Sequence, residues 1–94
     1  METLEPAAVD RALATLDGWQ RDGDTLVREL RFDGFRDAIA FINRVADLAD
    51  AADHHPELTN VYARVVVRLT THDAGGITSK DVDLARAVDE VVAP

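Results

Sequence analysis

Trp19-Gln20-Arg21-Asp22-Gly23-Asp24-Thr25-Leu26-Val27-Arg28-Glu29-Leu30-Arg31-Phe32 is the stretch that decides the fold. Trp19 and Gln20 begin a hairpin, and Arg21–Asp24 makes its turn, with Asp22-Gly23 as the favoured tight-turn pair. The return strand is expected over about Thr25 to Phe32. Leu26, Leu30 and Phe32 share one of its faces, and Val27, Glu29 and Arg31 share the other. A period of two predicts an antiparallel strand with one buried face. A second hairpin follows. A short strand near Leu58–Val61 leads to a stronger one near Ala63–Thr71, where Val65, Val67 and Leu69 oppose Arg64, Val66 and Arg68.

Three helical segments surround these hairpins. The first, about Pro6 to Leu16, carries Val9, Ala12, Leu13 and Leu16 on one stripe; Pro6 suits the first turn and Gly18 a left-handed stop. The second runs about Phe35 to Ala51, with Asp33 placed to cap it. Its apolar face is wide (Phe35, Ala38, Ile39, Ile42, Val45, Ala46 and Ala49), with Phe41 and Leu48 beside it. The third runs about Ser79 to Val92. Thr78 and Asp81 form a capping-box pattern before its stripe of Leu84, Ala85, Val88, Val91 and Val92. The order helix, two strands, helix, two strands, helix predicts an α+β domain: a four-stranded antiparallel sheet with three helices on one face. The other face is left open or meets a second copy.

The bulk numbers fit a single domain over residues 1–94 and narrow the function classes. The formal charge of −8 argues against direct nucleic-acid binding, which requires a basic patch. There is no cysteine, so disulfides and thiolate metal sites are excluded and a cytoplasmic location is expected. No stretch has the basic and apolar order of a secretory signal, or the roughly 20 apolar residues of a membrane span.

All three histidines, His54, His55 and His72, lie in or beside the loops framing the second hairpin. Histidine titrates near neutral pH and can exchange a proton under cellular conditions. Pro56 forces the residue before it out of the helical region, so the second helix must end before His55. Spacing alone leaves three readings open: acid–base or binding chemistry, a three-histidine metal site, and a structural role. The metal reading is weakened because neighbouring side chains in extended chain point apart. The chain also lacks His-x-His and His-x-x-x-His spacing. Gly75-Gly76 is an isolated flexible turn rather than a phosphate loop, and Ser79, the only serine, sits at a helix start.

Asp53-His54-His55-Pro56-Glu57, then Asn60-Val61-Tyr62, then Val65, Val67, Leu69 and Thr71-His72 closely resemble the pterin-4a-carbinolamine dehydratases. Gly76-Ile77-Thr78, Asp81, Leu84-Ala85, Gly18-Trp19 and the helix holding Phe35, Phe41 and Val45-Ala46 extend the resemblance over nearly the whole chain. It implies dehydration of a 4a-hydroxytetrahydropterin, with no metal or organic cofactor, in a dimer or tetramer functionally linked to an aromatic amino acid hydroxylase such as phenylalanine hydroxylase. By position it implies His55 and His72 as the main catalytic pair, with His54 in support and Asp81 beside them. It also implies pterin contacts from Asp53, His54, His55 and Pro56, and from Thr71, His72, Asp73 and Ala74. Asp50 stands where relatives often carry Glu. Leu58 stands where animal relatives have Trp, so the resemblance implies a pocket edge without its aromatic. Some relatives act instead through protein contacts, which keeps a non-catalytic pterin-binding or assembly module as the alternative.

Overall fold

The structure, a computed structural model, describes residues 2–92. The elements follow the expected order: α1 (Pro6–Leu13), β1 (Trp19–Asp22), β2 (Thr25–Arg31), α2 (Phe35–Ala52), β3 (Glu57–Val61), β4 (Arg64–Leu69), a 3-10 turn (His72–Ala74) and α3 (Ser79–Val92). The strands form one antiparallel sheet in the order β1-β2-β4-β3. Period two sorts its faces. Trp19, Leu26, Leu30, Val65, Val67 and Leu69 join one core with Val9 of α1, Phe41 and Val45 of α2, and Leu84 and Val88 of α3. The three helices thus cover one face.

The second hairpin brings the two ends of its strands to the histidine loops, because Glu57 pairs with Arg68 and Leu58 with Val67. The first hairpin differs from expectation by one residue. Asp22 pairs with Thr25, so Gly23 and Asp24 form the tip, with Gly23 in the left-handed region at φ 61°. That register places Asp24, rather than Gly23, against the end of β4, where the Thr70 hydroxyl donates to the Asp24 carbonyl at 2.7 Å.

Other expectations shift for local reasons. α1 ends at Leu13; tighter turns carry the chain on and still bury Leu16 before Gly18 turns left-handed at φ 80°. Asp33 does not cap α2, whose N-cap is Gly34 with no side-chain hydrogen bond. The buried stripe of α2 is Ala38, Phe41, Val45 and Ala49, centred on Phe41, whose ring lies 5.1 Å from that of Phe32. Phe35 and Ala46, expected in that face, are exposed. Arg28 occupies an inward register position between Leu26 and Leu30. It is tolerated there because it pairs with Asp89 of α3, which also accepts the Trp19 indole N–H at 2.7 Å.

Candidate active site

The histidine pair hangs from the end of α2. Asp53 takes the left-handed conformation (φ 49°, ψ 43°), and two backbone bonds close the helix: His54 N–H to the Ala49 carbonyl at 3.1 Å and Asp53 N–H to the Asp50 carbonyl at 3.2 Å. This is the Schellman arrangement, with Asp in the place glycine usually takes. Pro56 then commits the chain to an extended path, and β3 starts at Glu57. His54 and His55 are fixed between these two features and turn to different carboxylates. Nε2 of His54 lies 2.5 Å from Oδ1 of Asp81, and Nε2 of His55 lies 2.9 Å from Oδ1 of Asp50.

Asp81 performs both tasks open to it in the sequence. Its Oδ2 accepts the Thr78 N–H at 2.9 Å, the carboxylate arm of a capping box whose other arm runs from the Lys80 N–H to Thr78 Oγ1 at 3.2 Å. The same Oδ2 accepts the Thr71 hydroxyl at 2.9 Å, while Oδ1 is left for His54. Thr71 Oγ1 and Thr78 Oγ1 are 2.9 Å apart, so Thr78 donates to Thr71 and Thr71 to Asp81. Asp81 and Thr78 have no exposed surface, and no buried side-chain N or O among the described residues lacks a partner. A buried carboxylate is tolerable only when its oxygens are saturated in this way.

His72 arrives from the opposite side, on a loop tied by its own backbone. The Thr71 carbonyl accepts from Ala74 (3.1 Å), Gly75 (2.9 Å) and Gly76 (3.3 Å), and the Thr71 N–H donates to the Gly76 carbonyl at 3.0 Å. Gly75 closes the turn at φ 81°, in the left-handed region. The Gly75-Gly76 pair expected to be flexible is thus part of a closed loop.

Two clefts meet at His55 and His72. One, of about 250 Å³, is walled by Asp53, His54, His55, Thr71, His72 and Asp73, with Thr70 and Lys80 completing it. The other, of about 430 Å³, is bounded by His55, His72 and Thr70 again, and then by Asp24, Thr25, Glu57, Arg68 and the two glycines. His55, Thr70 and His72 are therefore a shared wall.

Of the residues singled out in the sequence, Asp53, His54, His55, Thr71, His72 and Asp73 come together around the smaller cleft. Pro56 and Ala74 line neither cleft. Asp81 is fully buried and reaches the cleft only through His54. Leu58 is not at the pocket edge: it pairs with Val67 on the inward face, packs against the core and lines neither cleft. Its substitution for an aromatic is a core difference. Asp24, Thr25, Glu57, Arg68, Thr70 and Lys80 were not picked out as site residues in the sequence. Glu57 and Arg68 could have been, because both lie on the open sheet face at strand ends adjoining the histidine loops.

This geometry gives three imidazoles facing a common space, with each member of the adjacent pair backed by a carboxylate. The chain matches the protein family described as Pterin 4 alpha carbinolamine dehydratase over residues 2–91. A relative from Thermomicrobium roseum that bears the same family's name is 50% identical over 99% of this chain and 100% of its own length. Another, from Thermosynechococcus vestitus, is 48% identical over 96% and 95% respectively. A crystal structure of a transcriptional coactivator/pterin dehydratase from Brucella melitensis superposes with a TM-score of 0.92 at 36% identity, covering 96% of this chain and 98% of that one. A pterin dehydratase-like RuBisCO assembly factor of the α-carboxysome shares the fold at a TM-score of 0.65 and 20% identity, covering 80% and 87%.

Proposed function

The chain belongs to the pterin-4α-carbinolamine dehydratase family, and on that footing we propose that it removes water from a 4a-hydroxytetrahydropterin to give the quinonoid dihydropterin. The observation that carries this reading is the placement of His55 and His72 on one shared cleft wall, with His54 beside them. In the reaction the C4a–O bond breaks with its electron pair leaving on oxygen. An acid protonates that oxygen to release water, the N5 lone pair forms the C4a–N5 double bond, and a base takes the N5 proton. The ring nitrogen supplies the electrons, so two imidazoles suffice as acid and base and no metal or electron sink is needed.

The carboxylates determine which nitrogens do this work. An ionised carboxylate only accepts hydrogen bonds, so the hydrogen shared by His54 and Asp81 resides on Nε2, and likewise for His55 and Asp50. The nitrogen left to exchange a proton is then Nδ1 in each. His72 has no side-chain hydrogen bond among the described residues, so either nitrogen is available. His55 and His72 transfer the protons in this reading, and His54, held by Asp81, orients the ring. A cytoplasmic, homo-oligomeric protein serving a hydroxylase that makes the carbinolamine belongs to the same proposal and is supported by the family alone.

The test is to supply 4a-hydroxytetrahydropterin and follow the absorbance of the quinonoid product. Acceleration over the spontaneous rate is expected, and its absence overturns the reading. His55→Ala and His72→Ala should each lower kcat by at least tenfold, within the roughly 10²–10⁴-fold range for general acid–base groups. A chelator should leave the rate unchanged. The fold also serves the carboxysomal assembly factor, but the complete histidine set with its carboxylates favours catalysis here.

A further inference from the structure

His54 and His55 each rest against a carboxylate, whereas the His72 ring makes no side-chain hydrogen bond among the described residues. Its place is therefore set by its backbone. That backbone follows Gly76, because Thr71 and Gly76 form an antiparallel bridge and exchange hydrogen bonds at 3.0 and 3.3 Å. Gly76 is in turn covered by the segment before α1. The Leu4 N–H donates to the Ile77 carbonyl at 2.8 Å, and the Leu4 side chain packs against the core. Thr3 lies over Gly76 so closely that a Cβ at that glycine would be 3.1 Å from Thr3 Cγ2. We infer that Thr3 and Leu4 form a strap that positions the His72 loop for proton transfer, although neither residue lines a histidine cleft.

The two adjacent glycines exist for different reasons. Gly75 takes the left-handed region at φ 81°, and a Cβ there would meet nothing within 4 Å. Gly76 has no positive φ, so its backbone suits any L residue. What excludes a side chain is the approach of Thr3, with Asp24 Cβ at 3.7 Å in ordinary contact beyond it. The strap is anchored at its other end. Glu5 is extended, α1 begins at Pro6, and Val9 is buried in the core. The inference rests on the proposed proton transfer by His72. A reacting group displaced by about 1 Å can lose about a hundredfold in rate. Pressure on Gly76 passes through the bridge to Thr71 and His72, and no partner on the ring corrects it.

The experiment exchanges size across the contact. Gly76→Ala should lower kcat for 4a-hydroxytetrahydropterin by roughly tenfold, a part of what a misplaced group can lose. KM should change by less than about twofold, since the interaction lost acts in the transition state. Thr3→Ser removes Cγ2, so Thr3→Ser combined with Gly76→Ala should recover most of the kcat. Leu4→Pro and Leu4→Ala both lose the apolar contact, but only proline loses the N–H, so its kcat should be the lower of the two. In proton NMR the His72 Cε1–H signal should shift or broaden in Gly76→Ala and return in the double variant, while those of His54 and His55 stay in place. An unaltered kcat and His72 signal in Gly76→Ala overturn the strap. So does a loss that Thr3→Ser fails to recover, and so does a loss in which all three histidine signals move together. The NMR arm needs no turnover. If the protein accelerates no dehydration, the dehydratase reading falls and the His72 signal alone decides whether the strap positions the loop.

Discussion

His54 and His55 are neighbours in the chain, and each holds Nε2 against an aspartate, yet the two pairs occupy opposite environments. The His54 and Asp81 side chains are 11% and 0% exposed; those of His55 and Asp50 are 61% and 78% exposed. In the first pair the carboxylate also holds a helix N-terminus and a threonine, so its position is set by the fold. In the second it stands alone in water, where an ion pair is worth about 0–1 kcal/mol and orients the ring loosely. Identical chemistry therefore serves two ends. One imidazole is fixed as part of the core's polar border, and the other stands exposed at the cleft wall.

The largest effect is expected at the buried pair. Asp81→Ala leaves the Thr78 N–H, the Thr71 hydroxyl and His54 Nε2 without their acceptor. Removing one partner from such a buried set costs about 3–5 kcal/mol, which urea unfolding would register as a large fall in midpoint at constant slope. A loss below about 1 kcal/mol would show that the pair is no more structural than its exposed counterpart. Asp81→Asn should recover only part, because an amide has one acceptor oxygen where the site uses two.

A smaller effect of opposite sign is expected one residue before the pair. Asp53 holds a left-handed conformation that costs a non-glycine residue roughly 1 kcal/mol. Asp53→Gly should therefore raise stability by about 1 kcal/mol or less in thermal unfolding. If its carboxylate touches the pterin, KM rises in the same variant. A gain in stability with KM unchanged assigns Asp53 to the helix stop alone.

How much of this was legible follows from the range of each interaction. The sheet and its three helices were readable because period two in Leu26–Phe32 and Val65–Leu69, and period 3.6 in the helices, are local consequences of one buried face. The helix stop before His55 was readable from Pro56. The hairpin tip was misplaced by one residue, since Asp22-Gly23 and Gly23-Asp24 both supply the left-handed glycine and cross-strand pairing decides between them. Phe41 was set beside the apolar stripe rather than at its centre, because only packing against Phe32 and the sheet fixes the rotation of so apolar a helix. Asp81 was legible as either a cap or a site group. That it is both depends on two oxygens facing different elements, which no spacing reveals. Glu57 and Arg68 meet only through strand register, which no local spacing carries, and Leu58 turns inward opposite Val67 for the same reason.

The exposed pair sharpens the contrast next. Asp50→Asn should alter stability by less than about 1 kcal/mol, yet lower kcat by several-fold, because the His55 ring loses the group that fixes its tautomer. The loss should stay smaller than that of His55→Ala. If Asp50→Asn destabilises as much as Asp81→Ala, burial is not what separates the two pairs.

The smallest effect is expected at a carboxylate outside the site altogether. Glu29, on the open sheet face, accepts a hydrogen bond from Arg64, whose Nη2 lies 3.3 Å from Oε2. That hydrogen bond, then the charges of Arg64 and Arg31, hold its carboxyl below the usual glutamate range. A carboxyl with a lowered folded value contributes stability that is present above the unfolded value, about 4.3, and is lost as pH falls through the folded one. Glu29→Gln should thus unfold slightly more easily than the parent at neutral pH. The difference should vanish as both are titrated from pH 5 towards pH 3, read as converging urea midpoints. Because Glu29 is solvent-exposed, salt should shrink the same difference at neutral pH. A difference insensitive to both acid and salt would mean that the open-face charges act through packing, as Asp81 does, and exposure would no longer separate Glu29 from Asp81.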